Sequence, residues 1–299
     1  MKINTVGLMV ASHRPEAVAL AKEAAALLRE RQIKVLLPPE IAQILELPEL
    51  AAPQDQYVAD SDLFISLGGD GALLNVARLA APVDKPVLGV HLGGFGFLAE
   101  VPQSQFYPAL EAVLAGRFHL QERMMLTVEV APGEKAQSRW QGIALNEVVI
   151  ANSGPSRVIS LRTQVGGQYL SGFAADGLII SSPTGSTAYS LAAGGPVVDP
   201  EMRAIILTPV SAHTLSARPI VVPPEKEVYV QLGPTRPGQE VRLTADGQSG
   251  TPLSAGDIVR VKEAPFAAKL VWFSESEGFG AGGFYDKLRT KLGWGHRHR

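Results

Sequence analysis

Read from its N-terminus, the chain alternates short apolar runs with stretches whose apolar residues recur at helical spacing. "INTVGLMV" opens the series, and Glu16–Glu30 follows with Leu20, Ala24, Leu27 and Leu28 on one face, the stripe of a helix that packs by one side. "KVLL", "DLFISL" and "PVLGV" continue the strand-like runs, and helical patterns cover Ala72–Leu79 and Gln103–Ala115. This order predicts an α/β domain with a mostly parallel sheet. From about Phe118 the texture changes to many strand-like runs, among them "MLTVEVA", "NEVVIA", "VISLRTQV", "LIISS", "IVVP", "VYVQL", "IVRV" and "KLVWF", punctuated by Gly, Pro and Asp. That half is expected to be mainly β. The end is helical again: Phe284, Leu288 and Leu292 stand at i, i+4 and i+8 with basic residues between them, a stripe expected to pack back on the first domain. The expected division is 1–117 with 279–299 for the α/β domain and 118–278 for the β-rich domain, with the final "GHRHR" as a solvated tail.

Composition narrows the class of partner. The 299 residues are 46% hydrophobic and 19% charged, which describes a soluble globular protein able to bury a core. A net charge of −2 gives no global electrostatic footprint for nucleic acid or an anionic membrane, so the partner is expected to be a small molecule met at a local site. The absence of cysteine excludes disulfides, thiolate zinc sites and cysteine nucleophiles, and is compatible with a reducing cytoplasm. The opening "MKINTVGLMV" is too short and too β-like for a secretory leader, and no apolar run approaches the roughly 20 residues of a membrane helix. A cytoplasmic location is expected.

Candidate chemistry begins at "LFISLGGDGALLNVARL", residues 63–79, where an apolar strand runs into Gly68, Gly69, Asp70 and Gly71 and then a helix. At the end of a parallel strand, backbone amides and the following helix N-terminus face the crevice where α/β sheets bind ligands. Glycines there let the backbone approach phosphate oxygens, and Asp70 offers a carboxylate that can hold a proton or a hydrated Mg²⁺. The alternative is an ordinary turn with a helix-capping aspartate. No G-x-x-x-x-G-K-[ST] segment occurs, which excludes a P-loop. The dinucleotide fingerprint occurs at Gly94–Ala99 and at Gly278–Gly283, but the first opens no helix and the second lacks a following strand, so both read as chance. The histidines form no catalytic pattern, and His213 in "SAHTLSARPIVVP" reads as structural or pocket-lining.

The segment "AADGLIISSPTGSTAYSLAAGGPVV", residues 174–198, repeats the strand-to-helix logic with small and polar residues. Thr184, Ser186 and Thr187 can exchange hydrogen bonds at a helix start, Ala188 leaves room for a flat ring and Tyr189 can cover it. Upstream, "LNEVVI" sets Asn146 and Glu147 at a strand entry, an amide beside a carboxylate that suits adenine and ribose hydroxyls or, equally, a surface turn.

Taken together, "GGDG" near residue 70, "NE" at 146–147, the 176–198 segment, "HTLSARPIVVP", "DGQ" at 246–248 and "LRTKLGW" resemble the NAD kinase family, in the right order and over almost the whole chain. The resemblance implies the two domains above, a last helix returning to the first, and a site between them. It implies Asp70 as the catalytic carboxylate, Gly68, Gly69 and Gly71 as the ATP phosphate loop, and Asn146 and Glu147 as NAD ligands. Asp176 with Thr187, Ala188, Tyr189 and Ser190 completes the dinucleotide pocket, and Arg157 and Gln248 align with it. The implied reaction moves the γ-phosphoryl of ATP, or of polyphosphate, to the 2′-hydroxyl of the adenosine ribose of NAD, with Mg²⁺ or another divalent cation offsetting phosphate charge and no protein metal ligand assigned. A homodimer or homotetramer is expected.

Four positions depart from the family pattern. Ala174 stands where many bacterial members carry arginine, His91 and Phe95 where asparagine and leucine are usual, and Ala212 where proline is common. They bear on substrate detail and regulation, and one cationic contact is either missing or supplied by a neighbouring subunit. Two other readings compete: a lipid or small-molecule kinase sharing only GGDG, and a non-catalytic NAD or NADP sensor.

Overall fold

The computed structural model describes residues 2–94, 96–154, 158–274, 278–279 and 282–293. The chain forms two units, Met1–Glu122 with Ala268–Arg299, and Arg123–Ala267. The first opens with β1 (Thr5–Val10), α1 (Pro15–Glu30), β2 (Lys34–Leu36), α2 (Pro39–Ile44), α3 (Gln54–Asp60), β3 (Leu63–Gly68), α4 (Asp70–Ala80), β4 (Pro86–His91), β5 (Val101–Pro102) and α5 (Phe106–Leu114). Strands then dominate: β6 (His119–Ala131), β7 (Trp140–Ala144), β8 (Glu147–Asn152), β9 (Ile159–Val165), β10 (Gln168–Ala175) and β11 (Gly177–Ser181). After the short α6 (Tyr189–Ala192) come β12 (Ile205–Val210), β13 (Ile220–Val222), β14 (Val228–Leu232), β15 (Val241–Ala245), β16 (Ser249–Leu253) and β17 (Ile258–Trp272). The last helix, α7 (Phe284–Leu292), belongs to the first unit.

In the first unit the strands run parallel in the order β2-β1-β3-β4, and the end of β17 extends them, with Lys269 and Leu270 beside Pro86 and Val87. Every residue of β3 and β4 is buried, as in parallel strands covered on both faces. Ile65, Leu67 and Leu88 meet Leu20 and Leu28 of α1 and Phe106 of α5 in one core, where each such side chain contributes roughly 1.5–3 kcal/mol. The chain leaves β1 toward β2 on one side and reaches β3 on the other, so the C-terminal ends of β1 and β3 border the switch point where open parallel sheets bind ligands.

The second unit is antiparallel, as expected for its mainly β texture. One sheet has the order β10-β9-β14-β17, with β6 also paired to β17 and β7 to β6, and the other has the order β13-β12-β11-β8-β15-β16. Burial alternates along β9, β14 and β15, which turn one face each into a core that includes Leu161, Val230 and Leu243.

Some elements differ from the periodicity. The helical pattern over Gln103–Ala115 resolves into a 3-10 turn at Gln103–Gln105 and α5, because Pro108 has no N–H and fits a helix only in its first turn. "IVRV" and "KLVWF" are the two ends of the single strand β17, read apart because Pro265 interrupts the apolar pattern between them. In α7, Leu288 is buried and Phe284 and Leu292 are half-buried, but Lys287, a basic residue of the stripe's edge, is buried as well. Residues 294–299, including "GHRHR", lie outside the described residues.

Candidate active site

In the first unit, β3 ends on Gly68, Gly69 caps α4 in an extended conformation, and Asp70 is the first residue of that helix. Gly69, not Asp70, is the N-cap, and the Asp70 carboxylate turns instead to a distant loop. The carboxylate accepts the N–H of Phe97 at 2.8 Å and those of Leu98 and Ala99 at 3.2 Å, from the loop that follows β4. A carboxylate offers about four lone-pair positions, and these three bonds leave about one for a hydroxyl proton or a cation. Close approach of the loop depends on Gly96, where a Cβ would stand 2.0 Å from Asp70 Oδ1.

The flanking glycines divide by role. A Cβ on Gly68 would meet those of Ala11 and Ala72 at 2.8 and 2.9 Å, so packing requires glycine there. Gly69 and Gly71 face open space, with nothing within 4 Å of an added Cβ. The lack of side chains at this strand end and helix N-terminus leaves room for an approaching anion. The Leu92 N–H bonds the Gly68 carbonyl at 2.8 Å, and the Arg14 guanidinium donates to the Leu92 carbonyl, which ties together the segments following β1, β3 and β4. Burial holds the His91 imidazole, at the end of β4, below its usual range; the Lys287 charge adds to this, against a backbone bond at Gly93 and the Asp70 carboxylate.

In the second unit, the turn between β15 and β16 carries Asp246 with a left-handed φ of 51°. Its buried carboxylate accepts the N–H groups of Leu145, Asn146 and Glu147 at 2.9, 2.8 and 3.1 Å, and its own N–H bonds the Glu147 carbonyl at 2.9 Å. Asn146 and Glu147 are thereby held at the start of β8. The 182–189 segment lies on them: Ser182 N–H bonds the Asn146 carbonyl at 2.9 Å, the Ser182 hydroxyl donates to Leu145 O, and a Cβ on Gly185 would stand 2.1 Å from Asn146 O. Burial, then repulsion from Asp246, raises the Glu147 carboxyl to about 7, against the Tyr189 N–H that favours its ionised form.

Buried polar atoms mark this end of the unit. Asn146 Oδ1, Glu147 Oε2, Ser181 Oγ and Thr184 Oγ1 have no hydrogen-bond partner among the described residues. A buried polar atom left without a partner is costly and calls for a water or ligand. Ala188 is half-buried and Tyr189 exposed beside them, and Gln248 is exposed in the Asp246 turn. Other side chains have internal duties: Thr187 Oγ1 bonds Thr184 O at 3.2 Å, and Ser190 is buried with its hydroxyl 2.9 Å from that of Thr208. Asp176 stands elsewhere. Ser181 pairs with Glu147 whereas Gly177 pairs with Ala151, so Asp176, five residues from Ser181, lies roughly 17 Å from it along the strand direction at about 3.4 Å per residue. Arg157 and Phe95 lie outside the described residues. His213 is exposed, and its N–H bonds the Ala174 carbonyl at 2.8 Å.

Two family models match the chain: the ATP-NAD kinase N-terminal domain over residues 6–118 and the ATP-NAD kinase C-terminal domain over residues 145–273. The chain is 42% identical over 287 residues to the NAD kinase of Moorella thermoacetica, covering 96% of this chain and 88% of that one. It is 40% identical over 290 residues to the NAD kinase of Desulforamulus reducens, covering 97% of each. The chain belongs to the NAD kinase family. Its fold is shared by yeast NADH kinase complexed with NADH, at a TM-score of 0.88 and 24% identity over 100% of this chain and 90% of that one. It is shared also by an NAD kinase from Archaeoglobus fulgidus in complex with ATP, at 0.66 and 24% over 92% and 94%.

Membership of the NAD kinase family makes the chain an enzyme. The readings as a lipid kinase sharing only GGDG and as a sensor are not favoured, because the match extends over both family domains and nearly the whole of each relative. Three features of this member were not marked by its motifs. Gly96 sits in the Gly94–Ala99 run read as chance, yet it is the position that admits Asp70. Asp246 belongs to the "DGQ" turn, where an acidic residue before glycine signals only the turn. Lys287 and Glu100 form a buried ion pair that no spacing pattern announces. Among the described residues no group of three or more His, Cys, Asp or Glu is arranged to hold a metal ion, and no helix is long and apolar enough to cross a membrane.

Proposed function

We propose that the chain is an NAD kinase that moves the γ-phosphoryl of ATP to the 2′-hydroxyl of the adenosine ribose of NAD, forming NADP and ADP. The observation that carries this reading is the match of both family domains in order, with 42% identity to a curated NAD kinase over 96% of the chain. The new bond joins the ribose oxygen to phosphorus as the β,γ-bridging bond breaks, and the hydroxyl proton passes to Asp70. Supporting that role is a carboxylate fixed by three amides with about one lone pair left over. Gly69 and Gly71, with open space where a side chain would stand, let the triphosphate come close to the helix N-terminus.

Asn146, Glu147, Thr187, Ala188 and Tyr189 bind NAD in this reading. The unpartnered oxygens of Asn146 and Glu147 support it, since both suit amino and hydroxyl donors of a nucleoside. Gln248 is assigned to the same pocket from its place in the Asp246 turn, and Arg157 by alignment alone. Gly68 acts by packing, and Ser190 by tying α6 to Thr208. Asp176 joins the pocket only for a ligand extended along β11, so its part is tested separately by substitution.

A divalent cation such as Mg²⁺ fits the residues present. Hard cations of this kind are held largely by substrate phosphates and waters, so Mg²⁺ would arrive with ATP and leave the open position of Asp70 to the ribose hydroxyl. Bound with ATP, the cation would offset charge on the transferring group. We further assign the enzyme to the cytoplasm and to a homodimer or homotetramer. The test is purified protein with Mg²⁺, NAD and either ATP or polyphosphate, with NADP read enzymatically. ATP-dependent NADP is the expected product; ATP consumption without 2′-phosphorylated dinucleotide would overturn the reading.

A further inference from the structure

We propose that Lys287 of α7 and Glu100 form a positioning pair that sets the Asp70 carboxylate through the Phe97–Ala99 loop. The inference rests on Asp70 as the base of the reaction above. The segment whose amides hold Asp70 is fastened by the same helix at both ends. Directly after Ala99, the Glu100 N–H bonds the Gly89 carbonyl of β4 at 3.2 Å, and its carboxylate accepts from Lys287 Nζ at 2.6 Å. Lys287 Nζ also stands 3.5 Å from the Phe97 carbonyl, and the Lys291 ammonium lies 4.8 Å from the centre of the Phe97 ring. Trp272 closes the other side, its ring centre 5.1 Å from Lys287 Nζ.

The ion pair is an uneconomical way to fasten a helix. Its side chains are only 3% and 4% exposed, and at such burial desolvation offsets most of the mutual attraction, so two apolar side chains of similar size would hold α7 as well. What they would not supply is direction. An ammonium that reaches both Glu100 and the Phe97 carbonyl fixes where the 97–99 amides point. With Gly96 in contact on the near side, the Asp70 carboxylate has one orientation. A displacement of about 1 Å in such a group can cost about 10²-fold in rate.

The test is the double variant Lys287→Met with Glu100→Gln, which removes both charges of the pair together, beside Lys287→Arg and Asp70→Asn. The double variant is expected to lose about 10–100-fold in kcat with KM for NAD and ATP changed less than about twofold. Its Phe97–Ala99 amides should exchange with deuterium faster while those of β1 and β3 do not. Lys287→Arg should keep most of the turnover. A double variant that is merely less heat-stable, with wild-type kcat per folded molecule and unchanged exchange at 97–99, would overturn the proposal. Asp70→Asn separates the two claims. If it turns over like the wild type, the assignment of the base fails; if it is inactive while the double variant is not, the base stands and the positioning role is wrong.

Discussion

Replacing Glu147 by glutamine should stabilise the substrate-free protein above neutral pH while weakening its hold on NAD. Glu147 is 8% exposed, one of its oxygens has no partner, and Asp246 is close enough to repel its charge. Its carboxyl titrates at about 7 in the fold, raised from 4.5. The sign follows from linkage. Between pH 4.5 and about 7 the native chain holds a proton that the unfolded chain has released, so stability falls as pH rises through that window and the full cost is present above it. At about 1.4 kcal/mol per pH unit, the interval corresponds to about 3 kcal/mol. Glutamine keeps the shape, still accepts the Tyr189 N–H and turns an amide donor toward Asp246. Wild type and variant should therefore be nearly equal at pH 4.5. At pH 8 the variant should be more stable by up to about 3 kcal/mol. Because the chain has two units, the reading should be local, from hydrogen exchange of the β8 amides or a urea transition of the second unit. NAD affinity measured by calorimetry should fall by roughly 1.5–3 kcal/mol, the worth of a hydrogen bond to a charged group. Parallel pH profiles for the two proteins would mean that Glu147 is hydrated and titrates normally, and the reasoning would be refuted.

Two further substitutions probe the first unit. Gly96→Ala puts a methyl 2.0 Å from Asp70 Oδ1, so it should cost about 10²-fold in turnover with little change in the affinity for either substrate; normal kcat would show that the loop yields freely. Deleting residues 284–299 removes buried Leu288 and strips Glu100 of Lys287, a loss of about 3–5 kcal/mol for the broken pair alone, whereas deleting only 295–299 should leave the melting curve unchanged. Equal melting of the two truncations would mean that α7 packs on nothing.

The α/β class and the mainly β half were legible because burial writes a period into the chain. Fully apolar runs became the buried strands β3 and β4, and alternating ones became β9 and β14. Helices α2 and α3 escaped because six or seven residues hold too few turns to show a period. At the candidate site, the residue types at the strand ends were readable, but what each side chain meets was not. Asp70 accepts bonds from residues 27 to 29 positions away, and Asp246 from residues about 100 away, contacts that no local pattern encodes. Lys287 shows the limit most plainly. A lysine on an amphipathic helix reads as its solvated face, and only the fold reveals a carboxylate waiting in the interior.

The most direct test of the central claim is Asp70→Asn, assayed for NADP formation with saturating Mg²⁺–ATP and NAD and, separately, for NAD binding by calorimetry. The amide keeps the size of the carboxylate and can keep the bonds from Leu98 and Ala99, but it turns a donor toward the Phe97 N–H and cannot accept the ribose proton. The account expects NAD affinity within about twofold of the wild type and turnover lowered by about 10²–10⁴, the usual cost of losing a general base. Turnover near the wild-type value would contradict it and reduce Asp70 to a fastening for the loop that follows β4.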